Sequence, residues 1–275
     1  MASVTTADIK KLREATGAGM TDCKNALVEA DGDYDKAVEQ LRIKGLKGVA
    51  KREGRAASNG LVIAKLDGTT KGTVLELNCE TDFVAKSAKF QELAAQVAEA
   101  VFGQPDASGL QSVDVGGKPL SEVLTDAGAS LGEKIEVRRV ASFEGAYVGV
   151  YLHKTNPDLP PQLGVLVELT GEGGGVAKDV AQHIAAFAPT YIARADVPAD
   201  VVAKEREIAE ATAKEEGKPE QALAKIVEGR VTGYFKDQVL LEQAFAKDTK
   251  KTVAKVLEEA GVQLTGFARF KVGQA

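Results

Sequence analysis

A strand–turn–strand–helix pattern occurs twice in this 275-residue chain, and that repetition restricts the fold more than any other feature. The first copy runs from Gly60-Leu-Val-Ile-Ala-Lys-Leu66 through a turn at Asp67-Gly68 to Gly72-Thr-Val-Leu-Glu-Leu77. A helix with apolar residues at Phe90, Leu93, Ala94, Val97, Ala98 and Val101 follows. The second copy runs from Gly145-Ala-Tyr-Val-Gly-Val-Tyr-Leu152 through a longer Pro-containing loop to Gly164-Val-Leu-Val-Glu-Leu169. Its helix carries Ala177, Val180, Ala181, Ile184 and Phe187. Each copy closes alike: a short helix (Leu120, Val123, Leu124; Val253, Val256, Leu257) leads to a last strand, Ile135 to Val140 or Leu264 to Val272. The pattern predicts an α+β fold with a duplicated antiparallel-sheet core covered by helices.

Matching the copies isolates one stretch. Glu76-Leu77 pairs with Glu168-Leu169 at a separation of 92, whereas the helix stripes pair at 87, so the first copy holds five extra residues between strand and helix. A rival alignment keeps 92 throughout and sets Val84-Ala85-Lys86 against Val176-Ala177-Lys178, with Thr81-Asp82-Phe83 opposite Gly173-Gly174-Gly175. Helix phase is the better guide, because burial constrains a helix face more than a three-letter identity does. In both alignments the second copy lacks the Asp-Phe pair, so the scaffold folds without it and its presence once points to a task.

Thr81 or Asp82 supplies a helix cap at this corner. Phe83 admits two readings. Lying seven residues before Phe90, it is either a staple on the same helix face or an exposed wedge for a partner.

The chain before the first copy, 1–45, reads as three short helices: a Thr5 or Thr6 cap before Ile9 and Leu12, a break at Thr16–Gly19, a second helix with Cys23, Ala26 and Leu27, and a third with Ala37, Val38 and Leu41 ending near Gly45. This is a small binding module, analogous in fold to ubiquitin-associated domains. Residues 46–58 read as a basic linker. Six basic residues lie between Arg42 and Arg55, available either to solvent or to RNA. Core subdomain 1 then spans 59–143 and core subdomain 2 spans 144–275. A helical hairpin, 199–236, is inserted in the latter, its seam set by Val201, Glu205, Ile208 and Thr212 against Leu223, Ile226 and Val227. The hairpin is either a docking arm or a solvent-exposed insertion.

Chemistry is sparse. Phosphate-loop, nucleophile-elbow and zinc-protease motifs are missing from the sequence, and Gly171-Glu-Gly-Gly-Gly175 reads as a turn. Only two histidines exist, His153 and His183, neither with ligand-spaced partners, so no catalytic residue, metal or cofactor is expected. Cys23 and Cys79 read as reduced structural thiols. A net charge of −5 argues against wholesale nucleic-acid binding, and no apolar run is long enough for a membrane or secretion signal, so the expected location is cytoplasmic.

Thr16 to Leu27 (Thr-Gly-Ala-Gly-Met-Thr-Asp-Cys-Lys-Asn-Ala-Leu), Asn78 to Lys86 (Asn-Cys-Glu-Thr-Asp-Phe-Val-Ala-Lys), Ile135 to Val140, Gly217-Lys-Pro219, Val227 to Arg230 and Thr265 to Phe270 together resemble the bacterial translation elongation factor Ts family. That resemblance implies a guanine-nucleotide exchange factor, not an enzyme, whose partner is elongation factor Tu in its GDP-bound and nucleotide-free forms. It implies that Asp82 and Phe83 push between helices of the partner's G domain and disturb its magnesium site, with Thr81 and Val84 completing the motif. It further implies that Leu12, Arg13 and Met20 of the N-terminal module pack on the G domain and that the region of His153 meets the partner's third domain. Some family members carry an extra C-terminal helical module with no counterpart after Val272-Gly-Gln-Ala275. Stoichiometry stays open between monomer, homodimer and a 2:2 complex. A ribosome-associated RNA-binding protein using the Arg42–Arg55 segment is the alternative, and a small-molecule enzyme built on the Gly171–Gly175 turn is the weakest reading.

Overall fold

A computed structural model describes residues 4–274; the outermost residues of the expected module and of the expected second subdomain lie outside them. The N-terminal module comprises α1 (Thr6–Thr16), α2 (Met20–Glu29) and α3 (Tyr34–Arg52). Thr5 and Asp8 cap α1 reciprocally: the Asp8 amide donates to Thr5 Oγ1 (3.2 Å) and the Thr5 amide to Asp8 Oδ2 (3.0 Å). Asp33 caps α3 by accepting from the Lys36 amide at 3.1 Å. Leu12, Cys23, Ala26, Leu27, Ala37 and Leu41 form the module's small core.

The first core copy follows as β1 (Asn59–Asp67), β2 (Lys71–Cys79), α4 (Asp82–Lys86), α5 (Ala88–Ala100), α6 (Leu120–Leu131) and β3 (Glu136–Glu144). The second is β4 (Tyr147–His153), β5 (Leu163–Leu169), α7 (Gly174–Phe187), the hairpin α8 (Ala199–Glu215) and α9 (Glu220–Gln238), a short ribbon of β6 (Ala244–Phe245) and β7 (Asp248–Thr252), α10 (Val253–Glu259) and β8 (Leu264–Lys271). The sheets are antiparallel, in order β1-β2-β3 and β4-β5-β8. Both central strands are bulged at matching places, between Glu76 and Leu77 and between Glu168 and Leu169. The expected α+β duplication is therefore present down to its irregularities.

Helices cover only one face of each sheet. Leu75, Leu77 and Val140 pack under Phe90, Leu93, Val97 and Leu120, while Val165, Val167 and Leu264 pack under Val180, Ile184 and Leu257. The remaining faces meet each other through Val62, Val74, Val148, Leu166 and Phe270. A helix–sheet–sheet–helix stack results, and it explains why β2 is buried along nearly its whole length. Close approach of the sheets rests on glycines: a Cβ on Gly164 would stand 2.5 Å from Val62 Cγ1, and one on Gly72 would stand 2.9 Å from Val148 Cγ1. Within the stack, Arg139 donates to buried Glu76 at 2.6 Å and to the Lys271 carbonyl of β8 at 3.0 Å, and its guanidinium lies 4.8 Å from the Phe270 ring centre. One arginine, paired with Glu76 in its own sheet, thus reaches across and ties the two sheets together.

Three expectations are corrected. First, α3 does not end near Gly45 but runs on to Arg52, so most of the supposed linker is helix and only 53–58 connects it to β1. Glycine in a helix interior costs roughly 1 kcal/mol relative to alanine, yet Gly45 lies against α6, where a Cβ would stand 2.8 Å from Ala129 Cβ. The glycine permits a helix contact and does not mark a break. Second, the hairpin seam is partly turned from its expected phase: Val201 and Val227 belong to it as expected, but Ala209 joins Val227, Val231 and Phe235 and Ile208 is 47% exposed. Small alanines let the two helices approach, and a branched side chain is displaced to the rim. Third, Phe187 is 52% exposed, while His183 takes an inward position on α7.

Candidate functional site

The corner between β2 and α5 is built from two caps in succession. Thr81, in extended conformation, starts α4 by accepting from the Val84 amide at 3.3 Å. Ser87 ends α4 and starts α5: its hydroxyl donates to the Val84 carbonyl (2.8 Å) and accepts from the Phe90 amide (3.3 Å). With ψ at 141°, Ser87 is extended and breaks the helix in two. Phe83 and Phe90 therefore do not share a face, and the staple reading fails: Phe83 is 79% exposed, whereas Phe90 is 0% exposed. The five residues of α4 equal the difference between the strand and helix separations of the two copies. Burial of Phe90, Leu93, Ala94 and Val97 against Ala177, Val180, Ala181 and Ile184 settles the alignment in favour of helix phase.

Within α4 the side chains divide by role. Ala85 is buried and Val84 packs on the core of the first copy, anchoring the turn. Asp82 and Phe83 project. The Asp82 carboxylate, 43% exposed, accepts from Lys86 Nζ at 3.0 Å, and that ammonium lies 6.0 Å from the Phe83 ring centre. An aromatic ring and a carboxylate are thus presented side by side on one short, anchored turn.

Beneath the turn, polar groups fix the chain. Glu133, just past α6, accepts from the Glu80 amide (2.9 Å), the Thr81 amide (3.0 Å) and the Thr81 hydroxyl (2.5 Å). Glu80 returns the arrangement, accepting from the Lys134 amide at 2.7 Å and from Arg55 at 3.1 Å. Burial works to raise the Glu80 carboxyl, but the Lys134 amide and Arg55 outweigh it and hold it below the usual glutamate range. Asn59 Nδ2 donates to the Glu80 carbonyl at 2.8 Å. Burial and then the charge of Glu133 push the Cys79 thiol up to about 12, so it stays protonated at neutral pH. Sequence reasoning missed Ser87, Glu80 and Glu133. A capping serine at the break was readable in principle, but Glu133, between a helix and a strand, carries no periodic signal.

The other expected contact residues are distributed unevenly. Leu12 is corrected: it is wholly buried in the module core and supports the helices instead of offering a contact. Arg13 is exposed and lines a cleft with Lys10, Gly17, Lys89 and Ser130, which sets the module beside the start of α5. Met20, the first residue of α2, is exposed as well. His153 is the last residue of β4 and is exposed, with Nδ1 2.9 Å from Tyr151 Oη. Arg13 and Lys89 share a surface with the α4–α5 start, while His153 stands apart on the second sheet.

Of the basic segment, Arg42 reaches Asp126 (3.4 Å), Lys44 reaches Asp22 (2.7 Å), Arg52 donates to the Gly128 carbonyl (3.3 Å) and Arg55 to Glu80. Arg42, Lys44 and Arg55 nevertheless remain more than half exposed, and Lys47 and Lys51 are exposed as well, so the segment keeps a basic surface. His183 is fully buried: the Ala246 amide donates to Nδ1 at 3.1 Å, so Nε2 carries the proton and donates to Gln243 Oε1 at 2.8 Å. Burial lowers its pKa below the ordinary histidine range against the opposing Gln243 bond. Among the described residues no group of three His, Cys, Asp or Glu is placed to hold a metal ion, and no helix is long and apolar enough to cross a membrane.

The family model described as elongation factor TS matches residues 80–274. The elongation factor Ts of Acidothermus cellulolyticus is 61% identical over 276 residues, covering 100% of both chains. That of Thermobifida fusca is also 61% identical, over 278 residues and 100% of both, and that of an Arthrobacter species is 60% identical over 99% of this chain and 100% of its own.

Proposed function

Since this chain belongs to the elongation factor Ts family and is thus a translation elongation factor, we propose that it is a guanine-nucleotide exchange factor that binds elongation factor Tu and promotes release of GDP. The observation that carries this reading is the exposed Asp82–Phe83 pair on a turn that the scaffold does not need for folding.

In nucleotide-binding G domains, magnesium bridges the phosphates to the surrounding loops and neutralises their charge. A ring and a carboxylate driven against that region displace groups that hold the metal, and the nucleotide is then held less tightly. No bond is made or broken. By linkage, a factor that weakens GDP binding must itself bind the GDP-loaded partner more weakly, so the two ligands expel each other through a short-lived ternary complex. Exchange is accelerated in both directions and the final nucleotide equilibrium is unchanged. Arg13 and Met20 of the module fit a supporting contact near α4, and His153 fits a separate one. The RNA-binding alternative is the weaker reading, because Arg42, Lys44, Arg52 and Arg55 each already have a partner within the protein.

Stopped-flow release of a fluorescent GDP analogue from elongation factor Tu tests the proposal. Acceleration by the parent and its loss in folded Asp82→Ala and Phe83→Ala variants are expected. A well-folded parent that leaves the release rate unchanged would refute the assignment.

A further inference from the structure

We infer that Glu133 is a positioning residue for the Asp82–Phe83 turn, and that the segment 128–134 holds this turn and the N-terminal module in one frame. The inference rests on the exchange reading for its consequence but on geometry for its substance.

The comparison of the two copies carries the argument furthest. Sheet register sets Val137 opposite Leu77 and Leu264 opposite Leu169, so Val137 and Leu264 are equivalent, as are the buried Ile135 and Val262. A left-handed glycine precedes each strand, Gly132 (φ 76°) in the first copy and Gly261 (φ 68°) in the second. Gly261 is followed at once by Val262, whereas Glu133 and Lys134 stand between Gly132 and Ile135. The first copy thus has two departures from the shared plan: α4, and the pair Glu133-Lys134. The second departure is bonded to Glu80 and Thr81, the two residues that lead into the first, Thr81 being its cap. Glu133 takes three donors from Glu80 and Thr81, and the Lys134 amide donates to Glu80.

The Thr81 hydroxyl has a single proton, and the bond to Glu133 uses it. Its lone pairs are then turned to the Val84 amide, so Glu133 orients the cap that starts α4. Bonds to an ionised carboxylate are roughly twice as strong as neutral ones, and three of them on two adjacent residues leave the exit from β2 little freedom. A projecting ring acts on a partner only if its direction is fixed, since ordering it at the moment of contact costs binding free energy.

The same segment grips the module. Ser130 Oγ donates to the Thr16 carbonyl at 2.8 Å, Arg52 donates to the Gly128 carbonyl, and Ala129 abuts Gly45. Within seven residues, 128–134, the chain touches α1, α3 and the α4 corner.

The test uses the full chain with Glu133→Ala, Thr81→Val and the double variant. Amide hydrogen exchange is read at 80–86 and, as a control, in α5; GDP release from elongation factor Tu is read against factor concentration. In Glu133→Ala the corner amides are expected to lose at least about tenfold in protection while α5 keeps its own. The saturating release rate should fall on the order of 10- to 100-fold, as for a misplaced reacting group, with a smaller change in half-saturating concentration. Because Glu133 acts through Thr81, the double variant should be no slower than the slower single one. Glu133→Gln, which keeps the volume and one acceptor oxygen, should fall between parent and Glu133→Ala. Unchanged corner protection in Glu133→Ala, or losses that multiply in the double variant, would overturn the inference. A parent that fails to accelerate release defeats the exchange reading alone, and the hydrogen-exchange arm still decides the role of Glu133.

Discussion

Replacing Phe83 with alanine separates a wedge from a core residue. A phenylalanine offers roughly 150–250 Å² for burial, and with Phe83 79% exposed only about a fifth of that is covered. At about 25 cal/mol per Å² the covered part is worth about 1 kcal/mol, and alanine's better helix propensity in α4 offsets some of it. Phe90, seven residues on and 0% exposed, is the internal reference: truncating a fully buried phenylalanine costs about 3–5 kcal/mol. Urea denaturation of the parent and both variants measures the two numbers in one protein, and the GDP-release assay on the same preparations measures function. The expected result is Phe83→Ala near parental stability with exchange abolished, and Phe90→Ala clearly destabilised with residual exchange in proportion to its folded fraction. A loss above about 2 kcal/mol for Phe83→Ala would place the ring in the core and refute the division of roles along α4.

Two further outcomes follow from buried polar groups. His183 is held neutral, with a folded pKa below the unfolded value near 6.5. Below that value the unfolded chain binds the proton and the folded one does not, so stability is full above it and falls as pH drops through it. Urea midpoints between pH 8 and 5.5 should show this component, at most about 1.4 kcal/mol per pH unit, and a His183→Gln variant should lack it. For the Glu76–Arg139 pair, Arg139→Ala strands a buried carboxylate and should cost about 3–5 kcal/mol, whereas the double change Glu76→Leu/Arg139→Leu should cost less, because no charge is left unpaired; equal losses in urea melts would contradict this.

The duplication was legible because each strand and helix repeats its own period, and strand and helix separations differed by the length of a real element. Burial of Phe90, Leu93 and Val97 follows directly from that periodicity. The stacking of the two sheets was not legible. Glu76 and Asn78 give β2 the alternation of a sheet with one wet face, yet both are buried; the pairing of Glu76 with Arg139 and the gap left by Gly72 and Gly164 exist only once distant strands meet. Gly45 and Gly48 with their basic neighbours read as a linker because composition cannot report the alanine of α6 that fills the space beside Gly45. At the corner, Asp82 and Phe83 stood out by their absence from the second copy. Which way Phe83 points depended on Ser87, a single residue in extended conformation between two helices.

That serine also makes the corner replaceable. Because Ser87 starts α5 with its own cap, the register of everything downstream is reset there, and the projecting positions 82, 83 and 86 can vary without rotating Phe90 and Leu93 out of the core so long as Val84 and Ala85 keep their anchoring contacts. Selection can therefore retune the contact with a partner at this point while leaving the stability of the scaffold almost untouched, and a protein engineer can exchange the projecting side chains of this turn on the same terms.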